Sequence, residues 1–159
     1  MKIFIMTRKT TSKSDLEIIE SIAECYEYSL NLLQPILKLN NLYIMLTNLD
    51  VRVNNSQIYR IEHRKRTMIK INFEEIVDDY INKDWKHRYS KKYLPKKLDT
   101  VDHSLFILFH EIAHYLNKDH LLNWGKLSQM ELALKETERD IEALNYLKLV
   151  HKLEKINES

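Results

Sequence analysis

The sequence predicts an α+β domain, on three observations. A helical stripe begins near Ser14, four short β-prone runs follow between residues 42 and 71, and two further helical patterns close the chain from Asp102 onward. The 159 residues, 44% hydrophobic and 30% charged, suit one domain spanning 1–159. A chain of this size buries about two thirds of its unfolded surface and needs no disulfide staples.

Each element has its own signal. Leu16, Ile19, Ala23, Tyr26, Leu30, Leu33 and Leu37 recur at spacings of three and four behind a Ser/Asp start. This predicts an N-terminal helix reaching about Gln34, with a break at Pro35. Residues 42–46, 51–53, 57–61 and 67–71 are short β-prone runs divided by Asn, Asp, Ser or charged residues. They predict a small antiparallel meander with a hairpin turn at Asn54-Asn55-Ser56. Residues 73–81 have the pattern of a short acidic helix, and 82–98 that of a polar, basic connector. From Asp102, read as the N-cap, Leu105-Phe106-Ile107-Leu108-Phe109 runs on to Leu116 with apolar residues on nearly every side, the mark of a buried helix. From residue 127 to about 156 a long helical pattern includes Met130, Leu134, Ile141, Leu144, Leu147 and Val150.

Composition excludes several classes of function. A net charge of +2 argues against a polyanion-binding tail or a highly charged disordered chain. Cys25 is alone, so neither a disulfide framework nor a Cys-based zinc site can be built. One glycine, Gly125, leaves no GxGxxG and no P-loop, and it leaves the turns to Asn, Asp and Ser. Nucleotide-dependent chemistry is not expected. The opening apolar run is too short for a secretory segment, and no run approaches the roughly 18 residues of a membrane span. A cytoplasmic protein with no membrane partner is the expectation.

The chemistry is concentrated in His110-Glu111-Ile112-Ala113-His114, an HExxH sequence. On a helix the i, i+4 spacing puts both imidazoles on one face, where two ring nitrogens can converge on one metal, with Glu111 beside it. Two histidines inside an apolar segment would otherwise need buried partners. Zinc requires a third protein ligand and, for catalysis, an open fourth position. His120 is one candidate: His110 and His114 followed by Asn117 and His120 resemble the metzincin pattern, with Asn117 at the usual glycine and Ser128-Gln129-Met130 in the place of a Met-turn. The other is Glu138, in the acidic stretch Glu136-Thr137-Glu138-Arg139-Asp140-Ile141-Glu142-Ala143, at gluzincin-like spacing from His114.

With this second candidate the chain resembles the ImmA/IrrE family of small HExxH metallopeptidases, a zincin-like group. In that family a helix and a short antiparallel sheet precede the HExxH helix, and a later helix supplies a Glu from a motif that Glu136, Glu138, Asp140 and Ala143 match. Tyr115 matches the aromatic after HExxH, and Ile69-Lys70-Ile71-Asn72 the strand before the active helix. Arg139 and Glu142 stand where the family usually has Ala and Phe. The resemblance implies a zinc-dependent endopeptidase with His110, His114 and Glu138 as ligands and Glu111 as general base. Glu142, Glu136 and His120 remain as alternative third ligands. Asp140, which cannot share a direction with Glu138, would reach a histidine N–H from the flank. The implied substrate is a protein, such as a helix-turn-helix repressor. The edge of the strand at 68–72 would take an extended peptide, and His87, Tyr89, Tyr93 and Tyr115 are eligible oxyanion donors by chemistry.

A non-enzymatic alternative rests on residues 83–97, which hold seven Lys/Arg against one acid, Asp84, interleaved with Trp85, Tyr89 and Tyr93. With Arg64-Lys65-Arg66 they could form a basic surface for nucleic acid or an acidic protein, in a regulatory module whose metal site is structural.

Overall fold

The computed structural model describes residues 2–49, 56–61, 66–74, 76–77 and 99–158, with the backbone alone at 56–61 and 100. Its elements are β1 (Lys2–Met6), α1 (Lys13–Leu33), β2 (Leu42–Thr47), β3 (Ser56–Ile61), β4 (Arg66–Asn72), α2 (Thr100–Leu116) and α3 (Gln129–Glu158). Two short 3-10 turns, Asp119–Leu121 and Trp124–Lys126, link α2 to α3. The mixture of helix and strand is the α+β class expected. Residues 51–53, Asn54-Asn55, Arg64-Lys65 and the basic connector with Trp85, His87, Tyr89 and Tyr93 lie outside the described residues. Of the acidic helix, Glu74, Ile76 and Val77 are helical.

The sheet is not an antiparallel meander. Its order is β1-β2-β4-β3, with β1, β2 and β4 parallel and β3 antiparallel to β4. The five-residue run at the N-terminus is a strand that pairs Lys2 with Tyr43 and Met6 with Thr47. A parallel pair needs a long crossover, and α1 supplies it. Of the consecutive strands, β2 and β3 are not spatial neighbours: β4 inserts between them. Leu42, Ile44 and Leu46 of β2 and Ile69 and Ile71 of β4 are fully buried, as central parallel strands require.

α1 begins at Ser12, whose side chain accepts from the Asp15 N–H, and it stops at Leu33 just before Pro35. Its buried face (Ile19, Ile22, Tyr26, Leu30, Leu33) joins the core made by the sheet, by Leu105 to Phe109 and Ile112 of α2, and by Ala143, Leu147 and Val150 of α3. Tyr26 Oη donates to the Ser104 carbonyl at 2.8 Å, tying α1 to α2. Asn41, at φ 60°, turns the chain into β2 in the absence of a glycine there. The N-cap of α2 is Asp99 rather than Asp102; the Asp102 carboxylate instead accepts from His151 Nε2 of α3 at 2.8 Å.

On α3 the packed positions 143, 147 and 150 leave Met130, Leu134 and Ile141 about half a turn away, and all three are exposed. At the far edge of the sheet, Ile3 and Ile5 of β1 and Ala23 of α1 floor a groove of about 350 Å³ walled by Glu20, Glu24 and Glu27. Among the described residues, no helix is long and apolar enough to cross a membrane.

Candidate metal centre

α2 is buried from His103 to Phe109 and again from Glu111 to His114, and it packs chiefly on α3, so the polar group His110, Glu111 and His114 lies in an otherwise largely apolar surround. The helical spacing brings the two rings edge to face, with centroids 4.8 Å apart and Nε2 atoms 3.1 Å apart. The Glu136 carboxylate of α3 closes the triangle, with Oε2 2.9 Å from His110 Nε2 and Oε1 3.1 Å from His114 Nε2. Donors on a tetrahedral zinc, at bonds near 2.0–2.1 Å, sit about 3.3 Å from one another. The three side chains therefore fit zinc in chemistry and spacing, and they form the group among the described residues able to hold a metal ion.

The carboxylate in this group is Glu136 and not the expected Glu138. Two residues along a helix is a rotation of about 200°; Glu138 accordingly points outward, 55% exposed, 3.8 Å from Arg139. The signal was present in the sequence: Glu136, Asp140, Ala143, Leu147 and Val150 follow a 4-3-4-3 spacing, and the last four are buried. Extending the packed stripe back by one turn reaches position 136. Glu142 lies off this line and accepts from Arg139 and Asn117. His120 stacks on Tyr115 with centroids 5.7 Å apart and is not in the group of converging ligand atoms. The chain leaves α2 through a left-handed Lys118 at φ 58°, one residue after Asn117. Met130, 78% exposed, underlies no metal site. Tyr115 Oη donates to the Asn40 carbonyl.

Each histidine presents its other ring nitrogen to an aspartate. His110 Nδ1 lies 2.8 Å from Asp140 Oδ1, as the flank position of Asp140 leads one to expect, and His114 Nδ1 lies 2.8 Å from Asp119 Oδ2. Donation of His114 Nδ1–H to Asp119 leaves the Nε2 lone pair of that ring free for a metal, and the Asp140 carboxylate beside His110 Nδ1 favours a proton there in the same way. Asp119, which the sequence reading missed, is 1% exposed and is also gripped by the buried Arg139, through Nε on Oδ2 and a second nitrogen 3.2 Å from Oδ1. Trp124 Nε1 donates to the Asp119 carbonyl, and its ring packs against His114.

Without a metal the electrostatics are strongly coupled. Burial alone would lower the His110 pKa, but the bonds to Asp140 and Glu136 and the nearby charge of Glu111 push it up to about 10. Burial would raise Glu136, yet its two histidine partners hold it well below the usual carboxylate range. Asp119 is likewise lowered: burial is outweighed by Arg139 and His114. Glu111 itself is buried. Comparison of the chain with family models, with curated proteins and with solved structures finds no match.

Proposed function

We propose that the protein is a zinc-dependent, zincin-like peptidase acting on a protein or peptide. The observation that carries this reading is the convergence of His110, His114 and Glu136 on one point. A donor set of two imidazoles and one carboxylate is that of a catalytic zinc with a fourth position for water. The HExxH helix followed by a helix bearing the third carboxylate supports the ImmA/IrrE resemblance, while the largely parallel sheet departs from it; a helix-turn-helix repressor follows from that resemblance as the substrate to test first.

Zinc held here would acidify a water and polarise the scissile carbonyl. Glu111, next to His110 in the chain and close enough for its charge to act on that ring, takes the proton of the attacking water. It then passes that proton to the leaving amine as the C–N bond breaks. Asp140 and Asp119 keep the two imidazoles in the ligating tautomer.

β4 is paired on both sides, by β2 and β3, and has no edge to offer a substrate. Among the described residues the edge strands are β1 and β3, and β3 contacts both α2 and the turn at Asp119–Leu121. An extended peptide added along β3 would run beside the metal centre.

The test is cleavage of a peptide library, read by mass spectrometry, with zinc-loaded wild type and Glu111→Gln. The expected result is wild-type cleavage that a chelator abolishes and that Glu111→Gln lowers by about 10²–10⁴-fold at unchanged zinc content. Equal cleavage by both proteins would overturn the mechanism.

A further inference from the structure

We infer that Arg139 is a positioning residue of the metal centre, acting through Asp119 to hold the His114 ring with its Nε2 turned to the metal. The inference rests on the metal reading above. It starts from an asymmetry between the two histidines. The aspartate behind His110, Asp140, stands on α3 one turn from Glu136, so one rigid helix places both groups. The aspartate behind His114 comes from a three-residue 3-10 turn that follows the left-handed Lys118. Such a support needs a tie to something rigid, and the guanidinium of Arg139 reaches it from α3.

The geometry suits that task. Both charges are buried, Arg139 at 5% and Asp119 at 1% exposure. Placing an ion pair there is costly in desolvation, and without Arg139 the Asp119 carboxylate would keep His114 and the more distant Lys135 Nζ, 3.8 Å from Oδ1. Arg139 engages both carboxylate oxygens, and a fork of this kind fixes the carboxylate plane as a single ammonium cannot. Oδ2 of that carboxylate is the atom that accepts from His114 Nδ1. Fixing the plane therefore fixes the ring rotation. The remaining arm of Arg139 donates to Glu142 Oε1, while Glu142 Oε2 accepts from Asn117 at the end of α2. Arg139 thus has one arm toward the histidine and one toward the helix end, and the two can be cut separately.

The experiment measures zinc affinity of the full chain by competition with a chromophoric chelator, and the visible spectrum of the cobalt(II)-loaded protein. Arg139→Met should weaken zinc by about 10–100-fold and alter the cobalt bands. Arg139→Lys should recover part of the loss. Glu142→Gln, which cuts only the arm to Asn117, should keep wild-type affinity. Asp119→Asn combined with Arg139→Met should lose no more than the worse single change, because the two act in one chain. Wild-type affinity in Arg139→Met, equal losses in Arg139→Met and Glu142→Gln, or additive losses in the double variant would each overturn the inference. A wild-type chain that takes up no zinc would overturn the metal reading and this inference together; zinc uptake unaffected by Arg139→Met would overturn only the role of Arg139.

Discussion

The Nε2 atoms of His110 and His114 face one another across 3.1 Å, and the two oxygens of a single carboxylate, that of Glu136, span the pair. Nothing in a helix interior requires two imidazoles to meet in this way. Either His110→Ala or His114→Ala should reduce co-purified zinc from about one per chain to near zero, because two protein donors do not hold the ion. Elemental analysis of gel-filtered protein checks this. Full zinc content in the double variant would place the metal elsewhere.

Glu136 and Glu138 make a sharper comparison, since they are chemically identical and two residues apart. Glu136→Ala should weaken zinc by more than the about 10–100-fold expected for a supporting residue, whereas Glu138→Ala should stay within about twofold of wild type. Isothermal titration with zinc distinguishes them. The opposite ranking would mean that α3 is rotated from the position described here.

The pH dependence of the metal-free protein follows from His110 and Glu136. The His110 value is raised from 6.5 to about 10, so its contribution to stability is complete below about pH 6.5 and is lost as the pH climbs through 10. Glu136 is lowered from 4.5, so its contribution is complete above that value and is lost as the pH falls below it. Urea midpoints of metal-free protein should peak between about pH 5 and 6.5 and decline toward pH 10. Zinc competes with those protons, so its apparent affinity should rise with pH over the same range. A midpoint that climbed from pH 6.5 to 10 without metal would contradict the charge pairing.

Tyr26→Phe tests the packing independently of the metal. The change removes the hydrogen bond to the Ser104 carbonyl from a fully buried position. The expected cost is about 1 kcal/mol, or about 2–4 °C in Tm, with zinc affinity unchanged. Calorimetry with and without zinc would reveal any coupling that contradicts this separation.

Helices were more legible in the sequence than the sheet, for a physical reason. The stripe from Leu16 to Leu33 and the HExxH segment are local periodicities, and a helix needs only local partners. The order of strands does not depend on local pattern. Ile3 and Ile5 could not announce that their partners were Ile44 and Leu46, across a 21-residue helix. Nor could the run at 67–71 reveal that it separates two strands preceding it in the chain. At the candidate metal centre, His110 and His114 were legible because both lie on one helix. The third residue depended on the rotation of a second helix, which is set by Asp140, Ala143, Leu147 and Val150 in the core. Asp119 and Arg139 carried no spacing signal, because their pairing joins a turn to a helix.

The glutamate-walled groove along β1 bears on how the protein behaves at high concentration. Among the described residues the outer edge of β1 is unpaired, and with partly exposed Ile5 and Met6 such an edge invites a second chain to continue the sheet. Two copies joining through this edge would bring Glu20, Glu24 and Glu27 of each toward those of the other. Carboxylates brought together in this way would repel one another, and because the repulsion acts at the surface it would fade within a Debye length of about 8 Å at physiological ionic strength. Concentrated salt would screen these surface carboxylates while leaving the buried pairs around His114 in place, so at this edge ionic strength acts on contacts between molecules before it acts on the fold.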